Sequence, residues 1–553
     1  MDRLSRVLVP ALCGLLVALP IPASPEGGEF IRREGNHLVI GDAGKPVRLR
    51  GVNFNNYFFE EDPALILESD HHSAIDFQRV AAVGMNVVRF NLSYRVFEND
   101  QRSFVYEQAG WDWLDQNIAW AKQAGIYLIV DMHVPQGGYQ GGTEDGLALW
   151  KDRINQERLK ALWRAIAARY QNETQIAAWD LLNEATPPDP MSWPILAAEI
   201  AEEIRSVDRN HLLIVEQALS TGDAAFPLFL LNDGNVMYDF HYYYPDEYTH
   251  QYLASVNQAD GGHYPNPDVS VLPSESVPAD EIANPRVPAG NSPWTFYRGE
   301  LYRVRNPLFV EALPSFSCEV NAGTVYFDDF VINEYDETQN WVRQVMSIDI
   351  IEEEPDEENV TLDPFESVAS SWSSWSSDGG GSHALVTDGH RGPQSLAIKN
   401  VSESYNLSHH AFAIRQDYYY RIDGWMKGRD VTGGSCYITL EFGQLPPGGA
   451  FTPVDKNYLR AKLTELTAFG AANGVPMNVG EFGLSRWTFL DGRGGLKWVR
   501  DLLAAFEESG VNYQYWDYHS FDFGLYATNS GLPDPERTNQ ALIDLLTTSL
   551  QPR

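Results

Sequence analysis

Short apolar runs alternate along this chain with stretches whose apolar residues recur at helical spacing. The runs are "VRLRGVNF" ending near Phe54, "GMNVVRFNL" near Leu92, "GIYLIVDMH" at His133 and "QIAAWDLLNE" at Glu184. "HLLIVEQ" then ends at Gln217 and "NVMYDFHYY" at Tyr243, and "VPMNVGEFG" and "VNYQYWDYHS" follow far downstream. Helical stretches precede them, among them Trp113 to Ala124, Gln156 to Tyr170, Pro194 to Ser206, Tyr458 to Asn473 and Leu496 to Ser509. The strand-like runs are near-continuously apolar, the signature of strands covered on both faces. Eight of them with intervening helices predict an α/β fold, a (β/α)8 TIM barrel. A doubly wound open sheet is the competing fold. It would place a Gly-rich phosphate loop after its first strand, where this chain has "GVNFNNYFFE".

One gap breaks the rhythm. More than two hundred residues separate the sixth run from the seventh, and the helical pattern resumes only near Asp455. Inside the gap the segments are short, alternating and β-rich: "VYFDDFVINEY", "SLAIKN", "HHAFAIRQDYYYRIDGWMKG" and "CYITLEFG". They predict a β-sandwich inserted after the sixth barrel strand. "GTVYFDDFVINEY" resembles the closing strand of jelly-roll carbohydrate-binding modules, and "FESVASSWSSW" with "GPQSLAIKN" resembles their opening. The closing motif comes first here, so one circularly permuted sandwich over 293–443 is expected, with two partial sandwiches as the alternative. The resemblance implies a structural calcium on Asp329 and Glu366, because Ca²⁺ takes hard carboxylate oxygens. A solvated turn is the competing reading. The aromatics Trp372, Trp375, Tyr418, Tyr419, Tyr420 and Trp425 are expected mostly as sandwich core. The barrel takes 30–250 and 455–550.

Charge and termini narrow the setting. A formal charge of -36 over 553 residues repels nucleic acid and anionic membranes and suits a neutral or cationic substrate. Arg3 and Arg6 followed by the apolar Val7 to Leu19 and by Pro22-Ala23-Ser24 read as a signal peptide over 1–24, which predicts a secreted or periplasmic protein. No later run is long enough to span a bilayer. Beyond that segment only Cys318 and Cys436 remain. They form one disulfide in an oxidising compartment or stay as two buried thiols.

In such a barrel the reacting groups sit at the C-terminal ends of the strands. The polar residues there are Asn53, Arg89, Asn91, His133, Asn183, Glu184, Glu216, Gln217, His241, Tyr243, Glu481 and Trp516. Glu184 and Glu481 fall on strands four and seven, across the mouth from each other. Two carboxyls facing over a cleft are the minimum equipment for glycoside hydrolysis, one protonated and one ionised. Any one of them alone reads equally well as a helix cap or an ion pair.

The ordered set Arg89, His133, Asn183, Glu184, His241, Tyr243, Glu481 and Trp516 resembles glycoside hydrolase family 5, the cellulases and mannanases of the (β/α)8 clan. The resemblance implies Glu184 as general acid/base and Glu481 as nucleophile of a retaining double displacement. It implies that Asn183 holds the sugar 2-hydroxyl, that Arg89 and Tyr243 bond the nucleophile, that His133 and His241 line the −1 subsite, and that Trp516 is the stacking floor. "DMHVPQGGYQGG" resembles the glucan-active members and puts Gln136 and Tyr139 against a sugar. The expected substrate is a neutral β-linked glucan or its oligosaccharides, β-1,4 first. β-Mannan, exo-β-glucosidase and glycosylceramidase activities, and a non-catalytic carbohydrate-binding barrel, are the alternatives. No HExxH, P-loop, GxSxG or suitably placed GxGxxG occurs, so no cofactor is expected for catalysis.

Overall fold

The computed structural model describes residues 29–550 except 59, 68–71, 141–145, 220–225, 254–260, 267–276, 283, 352–365, 369–371, 410, 434–435, 445–452, 491, 521 and 527–538. The signal-peptide segment and most of the acidic linker after Ile351 therefore lie outside the described residues.

The chain opens with a three-stranded meander, β1 (Ile31–Glu34), β2 (His37–Ile40) and β3 (Lys45–Val47). Barrel strands follow: β4 (Arg50–Phe54), β5 (Val87–Ser93), β6 (Tyr127–Val134), β7 (Ile176–Asp180), β8 (Leu212–Glu216) and β9 (Val236–Tyr242). The insert supplies β10 (Val277–Glu281), β11 (Gly290–Arg298), β12 (Tyr302–Arg303), β13 (Phe309–Tyr335), β14 (Trp341–Ile351), β15 (Glu366–Val368), β16 (Ser373–Ser376) and β17 (Ser382–Val386). It continues with β18 (Ser395–Ser408), β19 (Phe412–Ala413), β20 (Tyr419–Val431) and β21 (Cys436–Gln444). The barrel is completed by β22 (Met477–Phe482) and β23 (Asn512–Tyr515).

The barrel closes in the order β22-β23-β4-β5-β6-β7-β8-β9, and every neighbouring pair is parallel. Its strands are buried almost throughout, which is why they lack polar alternation. The intervening helices present one apolar stripe each, and Trp163, Trp179, Trp193 and Trp498 fill the layer between helices and strands. Burying side chains of this size contributes on the order of 2–3 kcal/mol each. Their indole N–H groups find acceptors; Trp193 donates to the Glu216 carbonyl at 2.9 Å. The helices before β5, β6, β22 and β23 all end on a glycine at positive φ: Gly84, Gly125, Gly474 and Gly510. That stop lets each helix turn straight into the next strand.

The meander β1–β3 was not foreseen from the sequence pattern. It closes the barrel floor, where Ile31 and Leu38 pack with Val87, Ile129, Ala178, Leu212, Ile214 and Met237. Polar chemistry is thereby confined to the opposite mouth.

The insert is a mainly antiparallel sheet with its own core, and β15 alone among its described strands pairs in parallel, with β14. Its sheet reaches back to β10, which pairs with β21, so it begins before residue 293. The long strand β13 organises it. The first half of β13 pairs with β21 and β18, and its second half pairs with β20 and β14. Cys318 and Cys436 are directly opposed on β13 and β21 and are disulfide-bonded. Trp372 stacks on Phe316 in the core, Tyr420 is buried, and Trp375 is exposed. Asp329 carries the calcium expectation. Its carboxylate is taken by His390 Nδ1 at 2.5 Å, and the Arg391 guanidinium stands 3.7 Å away. Glu366 lies in β15, and its side chain is outside the described residues. Among the described residues, no helix is long and apolar enough to cross a membrane.

Candidate active site

Arg89 on β5 points into the barrel axis, is fully buried, and meets four carboxylates. Asp180 lies 2.9 Å away, Glu216 2.6 Å, Glu481 2.9 Å and Asp131 3.2 Å. It also donates to the amide oxygens of Asn53 at 3.1 Å and Asn183 at 2.9 Å. One guanidinium has five N–H donors in a rigid fork, so it can serve several acceptors at once. These carboxylates hold its pKa well above the ordinary value against the cost of burial.

Glu481 ends β22, beside His241 of β9 in the parallel register. The preceding Gly480 is required there, because a Cβ would stand 2.5 Å from Asp239 Oδ2. Glu481 Oε1 accepts from Arg89, and Oε2 accepts from the Tyr243 hydroxyl at 2.9 Å. Glu184 follows β7 in the left-handed region, φ 42°, an uncommon conformation for a residue with a side chain. Its Oε1 accepts from His241 Nδ1 at 2.8 Å, and its Oε2 accepts from the Tyr139 hydroxyl at 3.3 Å. Donor atoms of Glu184, His241 and Glu481 all lie within 4.8 Å of one another. The Glu184 side chain keeps 20% of its surface exposed and Glu481 only 6%, so one carboxylate faces solvent and the other does not.

The electrostatics follow from this packing. Burial lowers the His241 pKa, but Glu481, Glu216 and Glu184 outweigh it and raise it well above the ordinary value. Burial raises Glu184, but the His241 hydrogen bond and charge outweigh it and the net shift is downward. Glu481 is raised by burial, opposed by His241 and Arg89 and reinforced by the Glu184 charge. His133 bonds Asp131 at 2.7 Å, and burial, Arg89 and His241 hold its pKa well below the ordinary value. His133 is therefore neutral, and its ring lies parallel to Trp516 at 5.6 Å and 13°. Phe58 and Tyr139 complete this aromatic wall.

Two of the groups with metal-compatible spacing share His241, and Asp131, Asp180 and Glu216 form the third. His241 carries a proton on Nδ1 toward Glu184, and Arg89 fills the space among the three acids. Both arrangements suit stored protons and an internal cation better than a metal.

The structure thus brings together Arg89, His133, Asn183, Glu184, His241, Tyr243, Glu481, Trp516 and Tyr139. Gln136 is fully buried and its amide N–H is turned to Glu98 at 2.8 Å, which Arg158 also binds, while its Oε1 has no hydrogen-bond partner among the described residues. Asp131, Asp180, Asp239 and Asp517 were missed by sequence reasoning, which looked only at the strand tips. The first three sit two to four residues below those tips. Asp517 follows Trp516, and burial pushes its pKa up to about 7.

With this geometry in place, residues 40–269 match the family model described as Cellulase (glycosyl hydrolase family 5). Endoglucanase C of Acetivibrio thermocellus is 31% identical over 177 residues, covering 32% of this chain and 51% of the relative. Cellodextrinase A of Ruminococcus flavefaciens is 25% identical over 207 residues, covering 37% and 60%. The chain spans about half the length of the curated relatives it matches. Among solved structures, endoglucanase Cel5A of the hyperthermophilic Thermotoga maritima aligns with a TM-score of 0.47 at 15% identity, covering 90% of this chain and 96% of that one.

Proposed function

From the glycosyl hydrolase family 5 domain at residues 40–269, we propose that this protein is a retaining glycoside hydrolase acting on β-linked glucan or its oligosaccharides. The observation that carries the reading is the pair Glu184 and Glu481, with an oxygen of each within 4.8 Å. Retaining enzymes hold their carboxyls about 5–5.5 Å apart, whereas inverting ones leave about 6.5–9.5 Å for a water.

Glu481 attacks the anomeric carbon as a carboxylate, held by Arg89 and Tyr243. The glycosidic C–O bond breaks, its oxygen takes a proton from Glu184, and a glycosyl ester forms on Glu481. Water then attacks the anomeric carbon, its proton goes to Glu184, and the bond from that carbon to the Glu481 oxygen breaks, which frees Glu481 as a carboxylate. In the free site the proton rests on His241, 2.8 Å from Glu184 Oε1. One transfer along that bond turns ionised Glu184 and charged His241 into the acid and a neutral imidazole, with no change in proton count. Asn183 Nδ2 is buried without a protein partner among the described residues. Such a donor suits the sugar 2-hydroxyl, since an unpaired buried N–H is costly. Trp516 offers the sugar's C–H face a partly exposed aromatic plane.

The Cys318–Cys436 disulfide fits an exported protein, in keeping with the basic-then-apolar start of the chain. A substrate panel of β-1,4-glucan, β-mannan and aryl β-glycosides with product-length analysis tests the reading. Glucan hydrolysis is expected. A Glu481→Ala variant that hydrolyses glucan as fast as the wild type would overturn the role given to Glu481, and binding of glucan with no turnover of any panel substrate would favour a binding barrel instead.

A further inference from the structure

Glu184 occupies a left-handed backbone conformation, φ 42°, and such strain in a non-glycine residue persists only where the surroundings enforce it. The enforcing group is Glu216, at the end of β8. Its Oε2 accepts the Glu184 backbone N–H at 2.8 Å, and its Oε1 accepts from Arg89 Nη2 at 2.6 Å. The same guanidinium holds Glu481 through Nη1 at 2.9 Å. Glu216 is itself fixed. Its carbonyl takes the Trp193 indole N–H at 2.9 Å, its strand pairs with β9, and it is 2% exposed. A continuous path therefore runs from the Glu184 backbone through Glu216 and Arg89 to the Glu481 carboxylate.

We propose that Glu216 is a positioning residue that fixes the strained Glu184 against Glu481 and so sets the gap across which a glycoside is cleaved. The inference rests on the hydrolase reading above. Glu216 does not touch the substrate; it acts through the Glu184 amide and the Arg89 fork. Its two carboxyl oxygens each face one donor, the Glu184 amide and the Arg89 fork. A glutamine there offers one oxygen and turns its NH₂ against the other donor.

The experiment compares kcat/KM for wild type, Glu216→Gln and Glu216→Asp on two substrates. One is an unactivated cello-oligosaccharide, whose departure needs the Glu184 proton. The other is 2,4-dinitrophenyl β-cellobioside, whose leaving group needs none. Glu216→Gln is expected to lose about 100-fold on the oligosaccharide, within the range of general acid catalysis, and less than about tenfold on the activated substrate. Azide should then raise its kcat on the activated substrate by replacing the base-assisted water. Glu216→Asp keeps a carboxyl group beside Arg89 and draws it back from the Glu184 amide, so it serves if the glutamine variant does not fold. Equal losses on both substrates, or no loss on either, in whichever variant folds would overturn the proposal. If the wild type turns over neither substrate, the hydrolase reading fails first and the proposal falls with it.

Discussion

The barrel and the inserted sandwich each bury an ionic cluster, and the two clusters are balanced in opposite ways. In the sandwich, the fully buried Glu334 is shared by Arg343 and Arg415 at 3.3 Å each and by the Tyr420 hydroxyl at 2.6 Å. One carboxylate there has two cations. In the barrel, the single Arg89 meets four carboxylates, with Asp239 and Glu184 close by through His241. An oversupplied carboxylate is settled and inert. A shortage of cations forces neighbouring acids to compete for protons, which shifts their pKa values apart and prepares them for acid and base work.

Breaking the two clusters should have unequal consequences. Removing the proposed nucleophile with Glu481→Ala is expected to lower kcat on the order of 10⁴-fold or more, while the Glu334→Gln rate stays at the wild-type level; steady-state rates on one oligosaccharide check both. Arg89→Met strands several buried carboxylates, at a cost of about 3–5 kcal/mol in urea unfolding. In the sandwich, Cys318→Ser with Cys436→Ser opens a loop of 118 residues. It should cost about 2–4 kcal/mol with kcat unchanged. Glu334→Gln should cost about 1–3 kcal/mol, since it leaves charged donors short of an acceptor.

A further test is a pH slope. Burial pushes Asp239 up to about 8 and Asp517 up to about 7. An acid whose folded pKa exceeds its unfolded value, about 4 for Asp, holds more protons when folded. Its contribution to stability therefore falls as pH rises through that window, here from about 4 to 8. Urea midpoints should drop between pH 5 and pH 8, and Asp239→Asn should flatten the drop. An equal slope in the variant would show that Asp239 is not one of the competing acids.

The barrel was legible in the sequence because strands covered on both faces need unbroken apolar runs, and its eight runs stand out for that reason. Glu184 and Glu481 were legible because a carboxylate at the tip of such a run has no packing role. The ring beneath them was harder to see. Asp131, Asp180 and Asp239 stand inside strands, where one polar letter in an apolar run looks like noise until Arg89 is placed among them. The role of Glu216 needed coordinates, since a hydrogen bond to a backbone amide 32 residues away leaves no pattern. The contact of Gln136 with Glu98 also left no pattern in the chain, since the two are 38 residues apart. The start of the insert was not legible, because β10 is separated from its partner β21 by the whole length of the insert.

The central claim is that Glu184 and Glu481 stand close enough for one to bond the sugar while the other manages the proton. Proton NMR of the first sugar released from a β-glucan oligosaccharide, read before mutarotation, tests it most directly. The account predicts a β-configured hemiacetal, the product of two inversions; an α-configured first product would contradict it.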